Sequence, residues 1–367
     1  MIITLFSNTS WSLFNFRKDF IVELIKKKHE VIIVSNKDLA TKKLIKIGCK
    51  YVPINFNTTS RNPFNEISCL LKIFYLVFKS NSDIFINFTI KPCIYFGLIN
   101  FFFNKNSISM FDGLGRSFIN NNFFSKLMIK ILKISQFCTR KIILVNKDDI
   151  TFFIKNKIVK KKKIFHLRAP GLDVDNYKFK KRVIKKNKKL VFAFISRVMI
   201  EKGIIHFLKS AEKIKKNFKV DFIVMGPIPT TQIKDTIKKF VKKKIIKYYK
   251  KSSNVKERIL SSDCIVLPSY YREGLPRILQ ESNYLGRICI TTDNVGCKDV
   301  IIDNYNGFII KKKSVDDLVL NITKVIKMNK SKLSLMEKNA HFFIKKNFNK
   351  DQINYKFINL INETAKI

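Results

Sequence analysis

The sequence predicts an α/β protein built from two doubly wound parallel-sheet domains. At 367 residues, of which 46% are hydrophobic, the chain is long enough for two separate cores. Short apolar runs typical of buried strands alternate along it with longer segments of helical periodicity. A basic and polar stretch, residues 178–189, interrupts this alternation near the middle of the chain and is expected to belong to a linker.

The first half opens with a strand, a loop and a helix. Residues 2–6 are an apolar run, residues 7–12 are polar, and a helical pattern extends from about residue 13 to residue 28. The polar stretch is expected to be a loop at the carboxyl edge of a parallel sheet, where ligands bind in doubly wound folds. Further strands are predicted at residues 31–34, 51–54 and 83–88, and further helices at residues 42–47 and 65–79.

The second half of the chain also alternates predicted strands with predicted helices. Its strands are predicted at residues 190–195, 220–225, 245–249, 264–267, 288–292 and 308–310. Helices are predicted at residues 204–216 and 276–285. Two more begin at Ser314, which forms a capping box with Asp317, and after Ser331. Two glutamates within this half mark the segment in which chemistry is most easily inferred.

Glu273 follows the strand at residues 264–267 and is therefore expected at the carboxyl edge of the sheet, with Glu281 eight positions further on. Pro276 fits the first turn of the helix between them, and Gly286 fits its end. A helix N-terminus attracts anions, and a carboxylate beside it can accept hydrogen bonds from sugar hydroxyls, so a phosphorylated sugar would suit both. By spacing alone, however, a solvated charged face is the commoner explanation of two such glutamates.

The whole phrase is more specific than the spacing. EGLPRILQES, followed by Gly286, the strand ICITTD and Gly296, resembles the E-x7-E signature of glycosyltransferase family four. This resemblance implies the GT-B fold, two Rossmann-like domains facing across a cleft, and sugar transfer from a nucleotide sugar with retention of configuration. It implies a catalytic set of Glu273, Arg197 and Lys202. It implies a donor-binding set of Arg197, Lys202, Gly226, Glu273, Gly274, Leu275, Pro276 and Glu281.

Within these sets the resemblance assigns a separate role to each charged residue. Arg197 and Lys202 should hold the donor diphosphate, Glu273 the donor sugar and Glu281 the ribose hydroxyls. Both cations lie in a strand-to-helix loop, where they can replace a metal ion in neutralising a departing nucleoside diphosphate. No metal and no cofactor is expected, and the co-substrate is expected to be a UDP-linked sugar.

The first half resembles one branch of that family more closely. Its motifs are Arg61-Asn62-Pro63, Thr89-Ile90-Lys91-Pro92, Gly113-Leu114-Gly115 and Val145-Asn146. They resemble the amino-terminal domain of members that extend lipid-linked or capsular oligosaccharides, including bacterial N-acetylgalactosaminyltransferases that act on diphospho-undecaprenol sugars. The acceptor-side residues expected on this basis are Asn8, Ser10, Lys91, Gly113 and Gly115. Lys91 is expected to follow a strand and to reach an acceptor diphosphate, although it could equally be a solvated surface lysine.

Two departures from the family leave the general base unassigned. Many relatives carry a Gly-Gly pair in the first loop, where this chain has Ser7-Asn8-Thr9-Ser10. Many also carry a histidine in the acceptor region, but residues 104–120 contain none. Asp173 and Asp175 form a D-x-D pattern, which we interpret as part of the passage between domains and not as a metal site.

Composition narrows the remaining function classes. The formal charge of +45 invites a nucleic-acid or membrane partner, although lysines are scattered throughout and A/T-rich codon bias explains much of the excess. The seven cysteines include no C-x-x-C pair, which favours reduced thiols in a cytosolic protein. The first residues resemble a strand more than a signal peptide, and polar residues interrupt the most apolar window, residues 84–103.

We therefore expect an acceptor-side domain at residues 1–166, a linker at 167–189 and a donor domain at 190–345. The C-terminal helices at 346–367 are expected to pack back on the first domain. The expected function is the transfer of an N-acetylhexosamine, with retention of configuration, to a glycan acceptor on a lipid. This reaction is expected to belong to surface polysaccharide or oligosaccharide biosynthesis. The protein is expected in the bacterial cytoplasm, peripheral on the anionic inner face of the plasma membrane, with no nucleic-acid partner.

Two other functions stay open at this point. A sugar-nucleotide epimerase can share the GT-B fold, but it needs residues for carbanion chemistry that we cannot identify. A non-enzymatic basic protein that binds membranes or nucleic acids would bind without any dependence on nucleotide, and it would leave the glutamate signature unexplained.

Overall fold

The computed structural model describes residues 1–56, 63–115, 118, 123–174, 179, 189–250 and 254–366. The chain forms two compact units. The first comprises Met1–Pro170 together with Lys350–Ile367, and the second comprises Gly171–Asn349. Each unit is built around a parallel sheet whose successive strands are joined mainly through helices. The predicted fold class, two doubly wound α/β domains, is confirmed.

The sheet of the first unit consists of parallel strands. They are β1 (Ile2–Thr9), β2 (Glu30–Asn36), β3 (Lys50–Pro53), β4 (Ile84–Phe88), β5 (Ser107–Phe111), β6 (Lys141–Leu144) and β7 (Ile164–His166). Their spatial order is β3-β2-β1-β4-β5-β6-β7. The order reverses between β1 and β4, where Leu5 lies opposite Ile86. In a doubly wound fold this switch point is where a crevice for ligands opens.

Helices join these strands. They are α1 (Ser10–Lys26), α2 (Thr41–Lys46), α3 (Pro63–Lys79), α4 (Ile90–Phe103), α5 (Phe123–Ser135) and α6 (Lys147–Lys155). Buried Phe6, Phe85 and Phe96 form one part of the core, with the Phe85 and Phe96 ring centroids 4.9 Å apart. The spacing supports a tilted aromatic pair in addition to plain burial.

The second unit is also built around a parallel sheet. Its strands are β8 (Val191–Ile195), β9 (Asp221–Met225), β10 (Lys247–Tyr249), β11 (Cys264–Leu267), β12 (Ile288–Thr292) and β13 (Gly307–Ile310). Their order is β10-β9-β8-β11-β12-β13, all parallel, so the switch point lies between β8 and β11. Every residue of β11 and β12 is buried, as expected for strands covered on both faces.

The helices of the second unit are α7 (Ile204–Lys215), α8 (Thr231–Lys242), α9 (Val255–Leu260), α10 (Arg277–Tyr284), α11 (Val315–Lys327) and α12 (Lys330–Asn347). The sequence predicts capping residues for two of them, α10 and α11. Pro276 caps α10, and Gly286 follows its end at φ +72°. The Ser314 side chain accepts a hydrogen bond from the Asp317 backbone N–H at 3.1 Å and so caps α11.

The last helix, α13 (Lys350–Ala365), belongs to the first unit. Its Phe357 ring stacks on Phe20 of α1 at 4.6 Å and meets Phe88 of β4 edge-on at 6.3 Å. Lys350 pairs with Asp19 at 2.8 Å. Aromatic burial therefore holds this helix against α1 and the sheet, because each buried ring removes a large apolar area from water.

The predicted polar loop at residues 7–12 is wrong. β1 continues through Thr9, which pairs with Asn36 of β2, and α1 begins at Ser10 with Thr9 as its cap. The apolar window at residues 84–103 folds as β4 followed by α4. Within the described ranges, no helix has the length and apolarity needed to cross a bilayer. Much of the predicted linker, residues 175–178 and 180–188, lies outside the described residues.

Candidate active site

Lys202 and Glu273 form a buried ion pair at the switch point of the second sheet. Lys202 ends a short 3₁₀ turn, Ile200–Lys202, that follows β8, and Glu273 lies in the loop that follows β11. Each residue is only 8% exposed. Burial of two charges is tolerated when they are paired, so each one holds the other in this position.

Gly203 explains how the two loops come so close. Its φ is +85°, and a Cβ on it would lie 2.1 Å from the carbonyl oxygen of Pro268. Only glycine adopts this conformation in this space without a clash. The neighbouring carbonyl of Glu201 accepts hydrogen bonds from the backbone N–H groups of Tyr270 (2.8 Å) and Tyr271 (3.0 Å). The loop after β8 is thereby bonded to the loop after β11.

Further contacts orient the Glu273 carboxylate. The Ser269 hydroxyl donates to its Oε1 at 3.0 Å, and the Thr292 hydroxyl of β12 donates to the Ser269 carbonyl. The Lys202 ammonium also lies over the ring of Tyr271, 5.4 Å from its centroid. A cation above an aromatic face is attracted to it, so Tyr271 fixes the position of the lysine from a second side.

The segment Gly274-Leu275-Pro276 leads from Glu273 into α10. Gly274 and Pro276 are buried and Leu275 is half-buried. Gly296, in the loop after β12, has φ +75°, and a Cβ there would lie 1.8 Å from the Gly274 carbonyl oxygen. The two loop backbones therefore touch, and the chain after β12 supports the start of α10.

Glu281 lies one turn inside α10 and is 8% exposed. The Arg277 Nε donates to its Oε1 at 2.6 Å, an i,i+4 pair on one helix face. Arg277 is the more exposed partner, and its side chain is 37% accessible. Arg277 thus sets the rotamer of a buried carboxylate from the solvent side.

Arg197 and Gly226 also lie at this edge of the sheet. Arg197 follows β8 by two residues, and its side chain is exposed. Gly226 directly follows β9, and a Cβ on it would lie 1.9 Å from the Ser196 carbonyl oxygen. The Tyr248 hydroxyl donates to the Gly226 carbonyl at 2.9 Å. The predicted donor residues are therefore gathered along β9, β8 and β11 at one sheet edge.

The expected acceptor-side residues differ in their burial and in their hydrogen bonds. Asn8 lies near the carboxyl end of β1, half-buried, and its Oδ1 has no hydrogen-bond partner among the described residues. The expectation that Ser10 contacts the acceptor is not supported. Ser10 is fully buried, and its hydroxyl is bonded to the hydroxyls of Ser35 and Thr41, each at 2.8 Å. It joins α1 to β2 and α2.

Lys91 is in the first turn of α4 and not in a loop. Its ammonium pairs with Glu66 of α3 at 2.7 Å and lies 5.3 Å from the centroid of the Tyr95 ring. Gly113 and Gly115 follow β5 with φ of +118° and +65°. Of the motif Arg61-Asn62-Pro63, the first two residues lie outside the described ranges.

No cluster of three or more His, Cys, Asp or Glu side chains suited to a metal ion occurs among the residues that the structure describes. Asp175, the second member of the D-x-D pattern, is not among them. Burial raises the pKa of the Cys297 thiol to about 12, with the negative charge of Glu273 adding to the effect. A thiol of this kind is not a nucleophile near neutral pH.

Three residues of the site were not predicted from the sequence: Ser269, Tyr271 and Arg277. Arg277 could have been found, because its position four residues before Glu281 on a predicted helix is a recognisable ion-pair spacing. Ser269 and Tyr271 carried no such signal. Their roles depend on a contact between two loops that are distant in the sequence.

Residues 175–342 match the family described as Glycosyl transferases group 1. This match covers 168 of the 367 residues, slightly less than half of the chain, and shows a similarity to that family. The match covers the expected donor-side residues Arg197, Lys202, Glu273 and Glu281. Together with the curated relatives, it confirms the prediction of a glycosyltransferase.

Curated relatives extend the similarity over both halves of this glycosyltransferase. The N,N'-diacetylbacillosaminyl-diphospho-undecaprenol alpha-1,3-N-acetylgalactosaminyltransferase of Campylobacter jejuni is 28% identical over 358 residues, 93% of either chain. The capsular polysaccharide biosynthesis glycosyltransferase CapM of Staphylococcus aureus is 24% identical and covers 83% of either chain.

Solved structures share the fold along the whole chain. A glycosyltransferase from Rickettsia africae superposes with a TM-score of 0.79 at 18% identity, covering 100% of this chain and 98% of that one. Anabaena HepE in complex with UDP superposes with a TM-score of 0.78 at 13% identity, covering 99% of each chain. The fold of this chain, with two parallel-sheet units, is thus shared with known glycosyltransferases.

Proposed function

We propose that this glycosyltransferase moves an N-acetylhexosamine from a UDP-linked donor to a glycan acceptor carried on a lipid diphosphate, in surface polysaccharide or oligosaccharide biosynthesis. The names of the Campylobacter and Staphylococcus relatives support the acceptor and the pathway class. HepE was solved with UDP, which supports the nucleotide. The observation that carries the proposal is the buried Lys202–Glu273 pair at the switch point of the second sheet.

The donor diphosphate is held by Arg197 and Lys202. Both follow β8, and a phosphate at this edge meets a buried ammonium and an exposed guanidinium. Because Lys202 is paired with Glu273, a bound diphosphate competes with that carboxylate for the ammonium. The carboxylate is then able to accept hydrogen bonds from the donor sugar and to stabilise positive charge at its reacting carbon.

Transfer proceeds with retention of configuration. The bond between the anomeric carbon and the diphosphate oxygen breaks, and the acceptor oxygen bonds to that carbon from the same face. The departing diphosphate oxygen takes the proton of the acceptor hydroxyl, so the reaction yields UDP and the extended glycan. The two cations stabilise the charge that grows on the diphosphate, and this is the larger part of their effect on rate.

Glu281 binds the ribose hydroxyls of the nucleotide. Its carboxylate is buried on α10 and fixed by Arg277, so it offers a pre-oriented acceptor to two neighbouring hydroxyls. A ribose contact is the same before and during the reaction. It therefore contributes to donor affinity and leaves the chemical step unchanged.

The protein meets its lipid-borne acceptor at the anionic inner face of the bacterial membrane. Large apolar side chains are exposed on α3, α4 and α5 and just after α5: Phe64, Ile67, Leu71, Phe74, Tyr75, Phe78, Phe101, Phe102, Phe123, Phe124, Leu127, Ile134 and Phe137. These three helices carry a single acidic residue, Glu66, against Lys72, Lys79, Lys91, Lys126, Lys130 and Lys133. Aromatic and lysine side chains together favour a peripheral position at an anionic interface.

A mass-spectrometric transfer assay tests the proposal. The purified protein is offered a panel of nucleotide sugars and a bacterial lipid extract, with Glu273→Gln as the site variant and Glu212→Gln, on α7, as the control. We expect the wild type and the control to add one N-acetylhexosamine to a lipid-linked glycan, whether or not a chelator is present. Glu273→Gln should catalyse the same transfer at a rate lower by about 10². Conversion of the nucleotide sugar into an epimer, or no dependence on Glu273, would overturn it.

A further inference from the structure

A long apolar groove runs along helix α3 in the first unit. Its volume is about 850 Å³, within the range of sites that bind organic ligands. One wall is the face of the sheet at β2 and β3, and the other is one face of α3. We call it the α3 groove; its apolar walls are formed by Ile32, Val52, Pro53, Ile54, Phe64, Ile67, Leu71, Tyr75 and Leu76.

The groove connects the two edges of the sheet. α3 begins after the carboxyl ends of the strands, where Phe64 and Ile54 line the groove, and ends at the amino edge, where Lys79, Ser80 and Thr4 line it. A helix of 17 residues is about 25 Å long at roughly 1.5 Å per residue. The groove thus leads from the edge that carries Asn8 to the opposite edge along the whole helix.

Five polar side chains line the groove, and the hydroxyls of two of them, Thr4 and Ser80, are already hydrogen-bonded within the protein. The Thr4 hydroxyl is bonded to the Ser82 hydroxyl at 2.6 Å, and the Ser80 hydroxyl to the same group at 2.7 Å. In contrast, Phe64 is 80% exposed and Leu71 is 65% exposed. Covering such side chains is favourable in proportion to the apolar area removed from water.

The occupant that fits is a hydrocarbon chain and not a peptide strand. β3 is the edge strand of the sheet, and Pro53 at its end has no backbone N–H, so an added strand could not complete its hydrogen bonds there. A hydrocarbon chain needs no such bonds. Four residues that line the groove also belong to the proposed membrane surface: Phe64, Ile67, Leu71 and Tyr75. Phe74 and Phe78 extend that surface on another face of α3, so a chain can enter the groove from the bilayer without crossing water.

We propose that the α3 groove binds the isoprenoid chain of a polyprenyl lipid, the chain that carries the acceptor diphosphate. The inference rests on the proposed function, since it assigns the hydrocarbon part of the same acceptor. The diphosphate then lies at the carboxyl edge, at the Phe64 end of the groove. At the other end of the groove the Lys79 ammonium lies over the Tyr75 ring, 4.8 Å from its centroid. The two side chains together present an apolar side to the hydrocarbon chain and a charged group to water.

Ser68 provides a discriminating variant, because it is exposed and lines the groove. Ser68→Phe fills the groove and at the same time makes the surface of α3 more apolar. Binding in the groove should weaken, whereas adsorption to a membrane surface should not. Ser331→Phe, on exposed Ser331 of α12, adds the same ring to the second unit and is the matched control.

The measurement is retention of radiolabelled polyprenyl phosphate by the immobilised full-length protein in detergent micelles, with inorganic phosphate and phosphatidylglycerol as competitors. We expect Ser68→Phe and the double variant Ile67→Gln, Leu71→Gln to lower affinity about tenfold, equivalent to losing about two buried methylene groups. Ser331→Phe should bind as the wild type does, and neither competitor should displace the label.

Three results would overturn the assignment: wild-type affinity in Ser68→Phe, an equal loss in Ser331→Phe, or displacement of the label by either competitor at the concentration of the label. Transfer to a short-chain, water-soluble acceptor separates this inference from the proposed function. Ser68→Phe should leave that transfer unchanged. If no acceptor is glycosylated while polyprenyl phosphate still binds in the groove, the proposed function fails and the groove assignment stands.

Discussion

The ammonium group of Lys202 and the carboxylate of Glu273 neutralise each other although 71 positions separate them in the chain. Both side chains are about 10% exposed, so neither charge is well solvated. Removing one partner of a buried pair leaves the other charge uncompensated, which costs roughly 3–5 kcal/mol. A diphosphate that binds Lys202 therefore competes with the Glu273 carboxylate for the ammonium.

This competition predicts opposite effects of two substitutions on UDP affinity. Lys202→Met should weaken UDP binding, because it removes a phosphate contact. Glu273→Gln should tighten it a few-fold, because it removes the carboxylate that competes for Lys202, while turnover of the sugar donor falls by about 10². Isothermal titration with UDP, together with steady-state kinetics, measures both effects.

Thermal unfolding provides the control for the variants Lys202→Met and Glu273→Gln. Both variants should melt at a lower temperature than the wild type, and UDP should restore stability to Glu273→Gln more than to Lys202→Met. Weaker UDP binding in both variants would mean that the two side chains support the site jointly and that no competition exists.

The second prediction concerns Arg277 and Glu281. If Arg277 acts by holding the Glu281 carboxylate at 2.6 Å, then Arg277→Met and Glu281→Ala should each raise the donor KM with little change in kcat. The double variant should be no worse than Glu281→Ala alone, because both changes remove the same contact. Additive losses in the donor KM would show that Arg277 touches the donor itself.

The sequence could predict strands more accurately than it could predict contacts. The strands at residues 264–267 and 288–292 match β11 and β12 without error, because each is a short apolar run between turn residues and is covered on both faces. The end of β1 was missed because Ser7, Asn8 and Thr9 are polar. Pairing of Thr9 with Asn36 on β2 keeps this segment in the sheet, and the sequence does not reveal that pairing.

The contacts between site residues could not be predicted for the same reason. Arg197, Lys202, Glu273 and Glu281 were predicted one by one from a family pattern, without their partners. The pairing of Lys202 with Glu273, and of Lys91 with Glu66, depends on how distant loops and helices meet. For Lys91 the difference matters, since a lysine neutralised at 2.7 Å is less available to a diphosphate than a solvated one.

The third prediction is that Gly296→Ala damages the donor site. The new Cβ would lie 1.8 Å from the Gly274 carbonyl oxygen, next to Glu273, and the backbone would have to move. Gly48→Ala is the control, because Gly48 also has a positive φ but its Cβ would meet nothing closer than 3.7 Å. We expect Gly296→Ala to lower the melting temperature further than Gly48→Ala and to abolish most transfer, as measured by calorimetry and assay. Equal losses of stability would contradict this.

The fourth prediction concerns the membrane surface. Co-sedimentation with vesicles containing phosphatidylglycerol should fall steeply as salt rises, and vesicles of phosphatidylcholine should bind weakly even at low salt. Phe102→Ser should reduce binding, because this residue of α4 is 71% exposed within the surface. Phe342→Ser is the matched control, as Phe342 is 63% exposed in the second unit. Equal binding to neutral and anionic vesicles at low salt would count against the surface.

The last prediction is a pH dependence that arises at His206 of α7. Burial lowers the pKa of His206, and the charges of Lys209 and Lys313 lower it further. Its ring meets Tyr270 edge-on at 5.9 Å, and the Lys313 ammonium lies over the same Tyr270 ring at 5.0 Å. Since the folded protein binds this proton less readily than the unfolded chain does, stability from His206 is complete above pH ~6.5 and is lost as the pH falls toward the lowered pKa.

NMR titration of the ring protons should report a pKa for His206 below ~6.5, and the melting temperature should drop between about pH 7 and pH 5. His206→Gln should reduce that drop. Lys313→Met should reduce it as well, because it removes a positive charge that opposes protonation. His29, whose pKa is lowered by burial and by the N-terminal amine, contributes in the same direction, so His29→Gln serves as the reference for a histidine outside the second unit. An unchanged drop in His206→Gln would assign the acid sensitivity to other groups.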